Sequence, residues 1–450
     1  MKLFGTDGVR GVANKELNAQ LALNLGLASA YIFANNSQEK KIKILVGSDT
    51  RVSCDMLQNA LVAGILATGA DVYLIGVVPT PSIAYLIKKY NMDAGVMISA
   101  SHNPMRDNGI KFFDNLGHKL SDQVINDIEN IVINGLLDQI PKPIDKDIGR
   151  IITFEHAAVD YKLDLNKLAV DYSGLKVGLD CANGALYSIA PSFFVDKGVD
   201  VYPIFDSPDG FNINQNCGST HMELLQQHVL KNKLDIGIAF DGDGDRCLMV
   251  DELGNIIDGD QIMAICANYM KENGTLKKDT LVTTIMSNIG LVKMCEKNQI
   301  NIEKTKVGDR YVLEKMLEQG YNFGGEQSGH IIFLDYQTSG DGMLTAIMLL
   351  NILKEKATTL SKLSLLMDKY PQVIENAKVP SDKKLDYDNN QKIKVAIEVL
   401  QNKYKDIGRV LIRPSGTEAL IRVMIEGIDV VEIAKDAKEL ARLLEAELNL

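Results

Sequence analysis

Three times along this chain, a strand-like apolar run, a helical segment and a second strand-like run follow in the same order. The first set is KIKILVGSD (41–49) with GADVYLIG (69–76), and the second is LKVGLDCAN (175–183) with GVDVYPIF (198–205). The third is DTLVTTIMSN (279–288) with INIEKTKVG (300–308). Strand, helix, strand at this spacing is the βαβ unit, which demands a mainly parallel sheet with helices packed on its faces. Three such sets predict three similar mixed or mainly parallel α/β domains. A length of 450 residues agrees, being too long for one ordinary core and suited to about three or four domains. After DKYPQVIENAKVPSDKK the rhythm stops. Short strands near 409–412 and 420–426 and a terminal helix over 429–448 predict a smaller α+β domain. Ile433, Ala437, Leu440 and Leu444 mark one face of that helix. Proline and charge cluster in PKPIDKDIGR and DKYPQ, and the predicted domains are 1–150, 151–253, 254–370 and 371–450.

Composition narrows the partners. A net charge of −11 argues against nucleic acid, which calls for a basic face. It leaves room for an anionic substrate held by a local cluster of Arg and Lys. The opening MKLFGTDGVRG lacks the apolar core of a signal peptide. The stretch MLTAIMLLNIL (343–353) is too short to span a bilayer and reads as a buried helix, so no membrane is expected. The six cysteines, at 54, 181, 217, 247, 266 and 295, include no CxxC pair, which suits reduced thiols and a cytoplasmic setting. Cys217 and His221 make half a zinc site at best.

Five motifs carry chemistry, and each has a blander reading. In ISASHNP (98–104), Ser101 stands where a strand gives way to a proline-stopped loop, with His102 beside it. It is either a reacting hydroxyl or part of a capping loop; a G-x-S-x-G elbow is absent. Lys111, in DNGIKFF (107–113), suits a base or a phosphate contact. In DGDGDR (241–246), glycines alternate with Asp241, Asp243 and Asp245, a spacing that aims three carboxylates at one ion. An EF-hand count puts Glu252 at the bidentate position, but Arg246 falls where the loop needs glycine, and the flanks read as strands. Three oxygen ligands better suit Mg²⁺ completed by a phosphate oxygen. RPSGTE (413–418), followed by Arg422, is a hairpin turn or an anion nest with arginine forks. GGEQSGH (324–330) offers Glu326 and Ser328 to sugar hydroxyls, while a lone His330 is more often structural. GTDGVRG (5–11) and SDTRVS (48–53) read as turns, with Arg10 and Arg51 in polar loops.

Taken together and in this order, GTDGVRG, ISASHNP, DGDGDR, GEQSGH and RPSGTE resemble the α-D-phosphohexomutase superfamily, over residues 5 to 426. GEQSGH, SHNPMRDNGIKFF and TKVGDRY (305–311) resemble its amino-sugar branch. Two positions depart from that pattern, Ala419 where proline is usual and Cys54 where glycine is usual. The resemblance implies four domains around a central cleft and a cytoplasmic isomerase of amino-sugar nucleotide and cell-wall precursor synthesis. It implies that Ser101 carries a phosphoryl group and that Mg²⁺ sits on Ser101, Asp241, Asp243 and Asp245. It implies interconversion of glucosamine 6-phosphate and glucosamine 1-phosphate through a sugar 1,6-bisphosphate that also primes the enzyme. The substrate phosphate would dock on Arg413, Ser415, Gly416, Thr417 and Arg422, and the sugar on Glu326 and Ser328. Arg10, His102, Lys111, Arg246 and His330 would serve the transfer, with charge neutralisation from Arg10, Lys111 and Arg246. Lys111 is the expected proton shuttle, with His330 as runner-up. A homodimer, and closure of the fourth domain about a hinge near residue 370, are further expectations. The alternatives are a glucose or mannose phosphate mutase, a Mg²⁺-dependent phosphatase and a calcium-binding module.

Overall fold

The computed structural model describes residues 3–5, 7–36, 41–415 and 419–449. They divide into two compact units, Met1–Met286 with Ile300–Leu365, and Ser287–Gln299 with Leu366–Leu450.

The first unit contains three sheets built to one plan. The first has six strands in the order Val9–Val12, Asp107–Phe113, Ala94–Ile98, Lys43–Ser48, Asp71–Val77, Ile151–Thr153. Its middle is parallel, and Asp107–Phe113 runs antiparallel to both of its neighbours. The central runs KILVGS and AGVMI have no polar alternation because helices cover both faces, which the burial of Ile44 to Val46 and Ala94 to Ile98 shows. The helices Ala19–Asn36 and Ser53–Leu66 meet backbone to backbone: a Cβ on Gly26 would lie 2.2 Å from the Leu61 carbonyl oxygen, and one on Gly64 2.2 Å from that of Leu23.

The second sheet runs Ile256–Ile257, Cys247–Asp251, Ile236–Phe240, Lys176–Asp180, Asp200–Ile204. The third runs Asn301–Thr305, Thr280–Thr284, Phe323–Gly325, Ile331–Phe333. In each, two parallel neighbours flank a central strand, and one of them turns back into an antiparallel strand. The three connections at that turn are topologically equivalent. They carry residues 99–106, 241–246 and 326–330, one motif each.

The second unit centres on an antiparallel sheet ordered Gln372–Lys378, Leu420–Glu426, Arg409–Pro414, with helices Gln391–Tyr404 and Val430–Leu448. Ile433, Ala437, Leu440 and Leu444 are all buried, as their spacing predicts. The four sheets give the expected α/β class with an α+β C-terminal part. One local expectation is corrected. GTDGVRG is a turn only at its start, because Arg10 lies within the strand Val9–Val12 and pairs with Gly109. The apolar stretch at 343–353 lies in the helix Gly342–Lys356 and is mostly buried, and among the described residues no helix is long and apolar enough to cross a membrane.

Candidate active site

Ser101 follows the fully buried strand Ala94–Ile98 and is itself only 2% exposed. Its φ is +52°, a left-handed conformation that costs a serine on the order of 1 kcal/mol or more and persists only where neighbours enforce it. The enforcement is visible. The Ser101 N–H donates to Ser99 Oγ at 2.9 Å, and the Ser99 hydroxyl donates to Asp49 Oδ2 at 2.6 Å. The Ser101 carbonyl accepts from Arg51 Nη2 at 2.9 Å and Asn214 Nδ2 at 2.8 Å. Arg51 lies in the loop after the strand Lys43–Ser48, as read, is buried there, and also binds the carbonyls of Asn103, Pro104 and Asp107. One guanidinium thus fixes the whole loop, because its planar fork presents donors in set directions.

The Ser101 hydroxyl donates to Asp241 Oδ2 at 2.6 Å, while His102 Nδ1 lies 3.3 Å from Ser101 Oγ. Asp241, Asp243 and Asp245 are buried and offer ligand atoms that all lie within 4.8 Å of one another. Gly242 is required between them, since a Cβ there would lie 2.6 Å from the Ser101 carbonyl oxygen. Asp243 Oδ2 accepts from Thr80 Oγ1 at 2.6 Å and Lys111 Nζ at 2.7 Å. Asp243 Oδ1 and Asp245 Oδ1 are buried without a hydrogen-bond partner. Burial, then repulsion from Asp245 and Asp243, holds the Asp241 carboxyl well above the usual range. Burial and Asp243 raise Asp245 as well. Burial also opposes ionisation of Asp243, but Lys111 and Thr80 outweigh it and hold that carboxyl below its ordinary value. Buried acids that repel one another and keep orphaned oxygens fit a divalent cation. The calcium EF-hand reading fails here. The flanking strands Ile236–Phe240 and Cys247–Asp251 pair antiparallel, and the Glu252 carboxylate accepts from the Ser361 hydroxyl and N–H.

Cations surround this centre. Lys111 Nζ lies 2.7 Å from Asp243, 3.0 Å from Asp7 and 3.9 Å from Asp245. Burial disfavours its charge, but these three carboxylates more than offset that and hold the ammonium above its ordinary value. These contacts favour the charged form of Lys111. Asp7 also pairs with Arg10, and its Oδ1 lies 2.6 Å from Lys119. Arg246 Nε is buried without a hydrogen-bond partner, 3.9 Å from Asp245 Oδ1. Burial, with Arg246 and Arg10 nearby, pushes the His102 imidazole down to about 4, so the ring is neutral at pH 7. The loop 326–330 closes on itself through Glu326 N–H to the His330 carbonyl and Gly329 N–H to the Glu326 carbonyl, both 3.0 Å. His330 Nε2 stands 3.4 Å from Asp309 Oδ2 and 3.8 Å from Asp245 Oδ2. His330 Nδ1 and Ser328 Oγ are buried without partners.

Models of the phosphoglucomutase/phosphomannomutase family match the chain in four parts. The α/β/α domains I, II and III match residues 1–137, 155–254 and 258–370, and the C-terminal domain matches 375–443. The phosphoglucosamine mutase of Caldicellulosiruptor saccharolyticus is 55% identical over 450 residues, covering all of both chains. That of Clostridium acetobutylicum is 54% identical over 449 residues, again covering all of both. The chain belongs to the phosphoglucosamine mutases of this family. Among solved structures, a phosphoglucomutase/phosphomannomutase family protein from Burkholderia thailandensis shares the fold at a TM-score of 0.81, with 24% identity over 98% of this chain and 97% of that one. An N-acetylphosphoglucosamine mutase from Aspergillus fumigatus shares it at 0.68, with 18% identity over 99% and 96%.

Ser101, His102, Lys111, Arg10, the three aspartates, Arg246 and His330 come together within the first unit. Glu326 and Ser328 share the loop of His330. Arg413, Ser415 and Arg422 lie in the second unit, while Gly416 and Thr417 lie outside the described residues. There Arg413 and Arg422 are direct cross-strand partners, and Ser415 is buried with its N–H on the Leu420 carbonyl at 2.9 Å. Motif reading missed Asp7, Thr80, Lys119, Asn214 and Asp309, and took Arg51 only for a turn residue. Asp7 and Asp309 stand inside quoted motifs, GTDGVRG and TKVGDRY, and their acidity was the available signal. Lys119 and Asn214 carry no local signal.

Proposed function

We propose that this chain converts glucosamine 6-phosphate to glucosamine 1-phosphate and back, through phosphorylated Ser101 and glucosamine 1,6-bisphosphate. The observation that carries the reading is the Ser101 hydroxyl, buried, held in left-handed backbone, and 2.6 Å from the orphan-bearing carboxylate triad. The triad with a Ser101 oxygen would hold Mg²⁺, which when bound neutralises charge on the phosphoryl oxygens.

In the forward direction, O1 of the sugar attacks the phosphorus on Ser101. The bond from phosphorus to Ser101 Oγ breaks as the bond to O1 forms. The O1 proton leaves and Oγ gains one, giving the bisphosphate and a free serine. The bisphosphate turns end for end, and Ser101 Oγ takes the phosphoryl group from O6 by the same steps reversed. Such a transfer needs positioning and charge neutralisation more than covalent help. Arg10, Lys111 and Arg246 supply positive charge. His102 presents a neutral ring nitrogen to Oγ. His330, whose Nδ1 is buried and unpartnered, stands beside Lys111 as a candidate to take the sugar hydroxyl proton. Glu326 and Ser328 hold the sugar hydroxyls. Arg413, Ser415, Gly416, Thr417 and Arg422 bind a substrate phosphate. A cytoplasmic setting is part of the same proposal, supported by six free, buried cysteines.

The test is product formation from glucosamine, glucose and mannose 6-phosphates, with Mg²⁺ and a trace of sugar bisphosphate. Preference for the amino sugar, abolished by Ser101→Ala and by chelation, is expected. Turnover that survives in Ser101→Ala would overturn the nucleophile, and release of inorganic phosphate instead of an isomer would favour a phosphatase.

A further inference from the structure

Lys119 has no place in the transfer described above, yet it is tied at both ends. Its backbone bridges Phe113, at the end of the strand Asp107–Phe113, so it is anchored on the first sheet. Its ammonium lies 2.6 Å from Asp7 Oδ1 and 2.6 Å from Asp309 Oδ2. Asp309 opens the helix Asp309–Gln319, which packs on the third sheet. The pair is mostly shielded, each side chain being 20% exposed. The neighbouring pair of Arg310 and Asp122 links the same two segments, but Asp122 is 75% exposed, and an ion pair in water adds little.

Asp309 reaches the sugar loop from two sides. The residue before it, Gly308, donates its N–H to Glu326 Oε1 at 2.9 Å, which restricts rotation of that carboxylate. Asp309 Oδ2 itself lies 3.4 Å from His330 Nε2. Glu326 and His330 are the two ends of the closed loop 326–330, so fixing Asp309 fixes both.

We infer that Lys119 is a positioning residue for substrate recognition: through Asp309 and Gly308 it sets the sugar-binding loop of the third sheet in register with Ser101 on the first. The inference rests on the proposed mutase activity and adds to it a residue that touches neither substrate nor metal ligand. A shift of about an ångström in a sugar-binding carboxylate costs on the order of a hundredfold in transfer.

The experiment measures kcat and KM for glucosamine 6-phosphate in full-length Lys119→Met, Lys119→Arg and Asp309→Asn, each alone and combined with Glu326→Ala. Lys119→Met is expected to lower kcat/KM roughly 10- to 100-fold, with Asp309→Asn matching it. Lys119→Arg is expected to recover much of the loss, because a cavity of about 270 Å³ lined by Lys119, Asp309, Phe113, Leu313 and Ile332 gives the larger head room. In the Glu326→Ala background, removal of Lys119 should add little, as it does when two residues act as a unit. Should Lys119→Met fail to fold, the near-isosteric Asp309→Asn carries the same test. Wild-type efficiency in both variants, or a full additive loss on top of Glu326→Ala, would overturn the inference alone. An unmodified chain that does not turn over glucosamine 6-phosphate would overturn the functional reading with it.

Discussion

Arg51 shows how much one side chain can decide. Its guanidinium serves Asp49 and four backbone carbonyls of the loop that presents Ser101, and it is buried. A lysine brings three donors on a point charge and cannot span that set. Arg51→Lys is expected to cost about 1–3 kcal/mol of folding stability, the range for leaving a buried acceptor unsatisfied, and to reduce turnover more steeply than stability because Ser101 relaxes from its left-handed backbone. Urea unfolding beside the mutase assay checks this; unchanged unfolding and turnover would show that Arg51 is dispensable. The aspartates of DGDGDR are legible in sequence because the alternation with glycine is local. Arg51 reads as an ordinary turn residue because four of its partners lie 50 or more positions away.

At the scale of elements, the repeat explains why the motifs meet. Parallel strands present their carboxyl ends to one edge of a sheet, and ligands collect there. Each of the three sheets turns back at that edge, and each turn carries one motif, the serine, the aspartates or the loop 326–330. The strands were legible to within a few residues: 41–49 became Lys43–Ser48, 198–205 became Asp200–Ile204, and 300–308 became Asn301–Thr305. Their runs are apolar and bounded by Gly, Asp and Asn. The helix contact behind the first sheet was not legible. Gly26 and Gly64 let Ala19–Asn36 and Ser53–Leu66 touch, and a glycine inside a helix pattern looks only like a weak position. Gly64→Ala should therefore destabilise by about 1–3 kcal/mol, the cost of overpacking, against the roughly 1 kcal/mol gain that helix propensity alone would give. Chemical denaturation decides the sign, and a stabilised variant would mean that the helices part without cost.

For the whole molecule, buried ionisable groups make stability depend on pH. Asp341 caps the helix Gly342–Lys356, accepting from Leu344 N–H at 2.9 Å and from the Tyr161 hydroxyl at 2.8 Å, yet burial pushes its carboxyl up to about 6 from an ordinary 3.8. A folded-state value above the unfolded one contributes stability that is complete below about pH 3.8 and is lost as pH rises through about 6. Asp341→Asn keeps the cap and the acceptor and removes the titration. At pH 7.5 the variant should be more stable by on the order of 2–3 kcal/mol, while near pH 4 the difference should nearly vanish. His102 works the other way, losing stability as pH falls towards about 4, but it is common to both proteins and cancels. Unfolding measured from pH 4 to 8 tests this, and a variant weaker at pH 7.5 would show that the ionised carboxylate is the better partner for Tyr161.

The sequence by itself determined the class of fold, through strand and helix periods that each span fewer than a dozen or so neighbours. It also displayed the chemical inventory of the first unit's candidate site: a serine, three carboxylates and a glycine-bracketed loop. Only the tertiary structure decided the electrical state of those groups and which bystanders hold them. Lys111 favours its charged form because Asp243, 132 positions later, lies against it. Lys119 is tied to the third sheet only because Asp309, 190 positions later, reaches it. Burial and Coulomb energy depend on distance in space, and local sequence patterns carry little information about which distant residues will become neighbours.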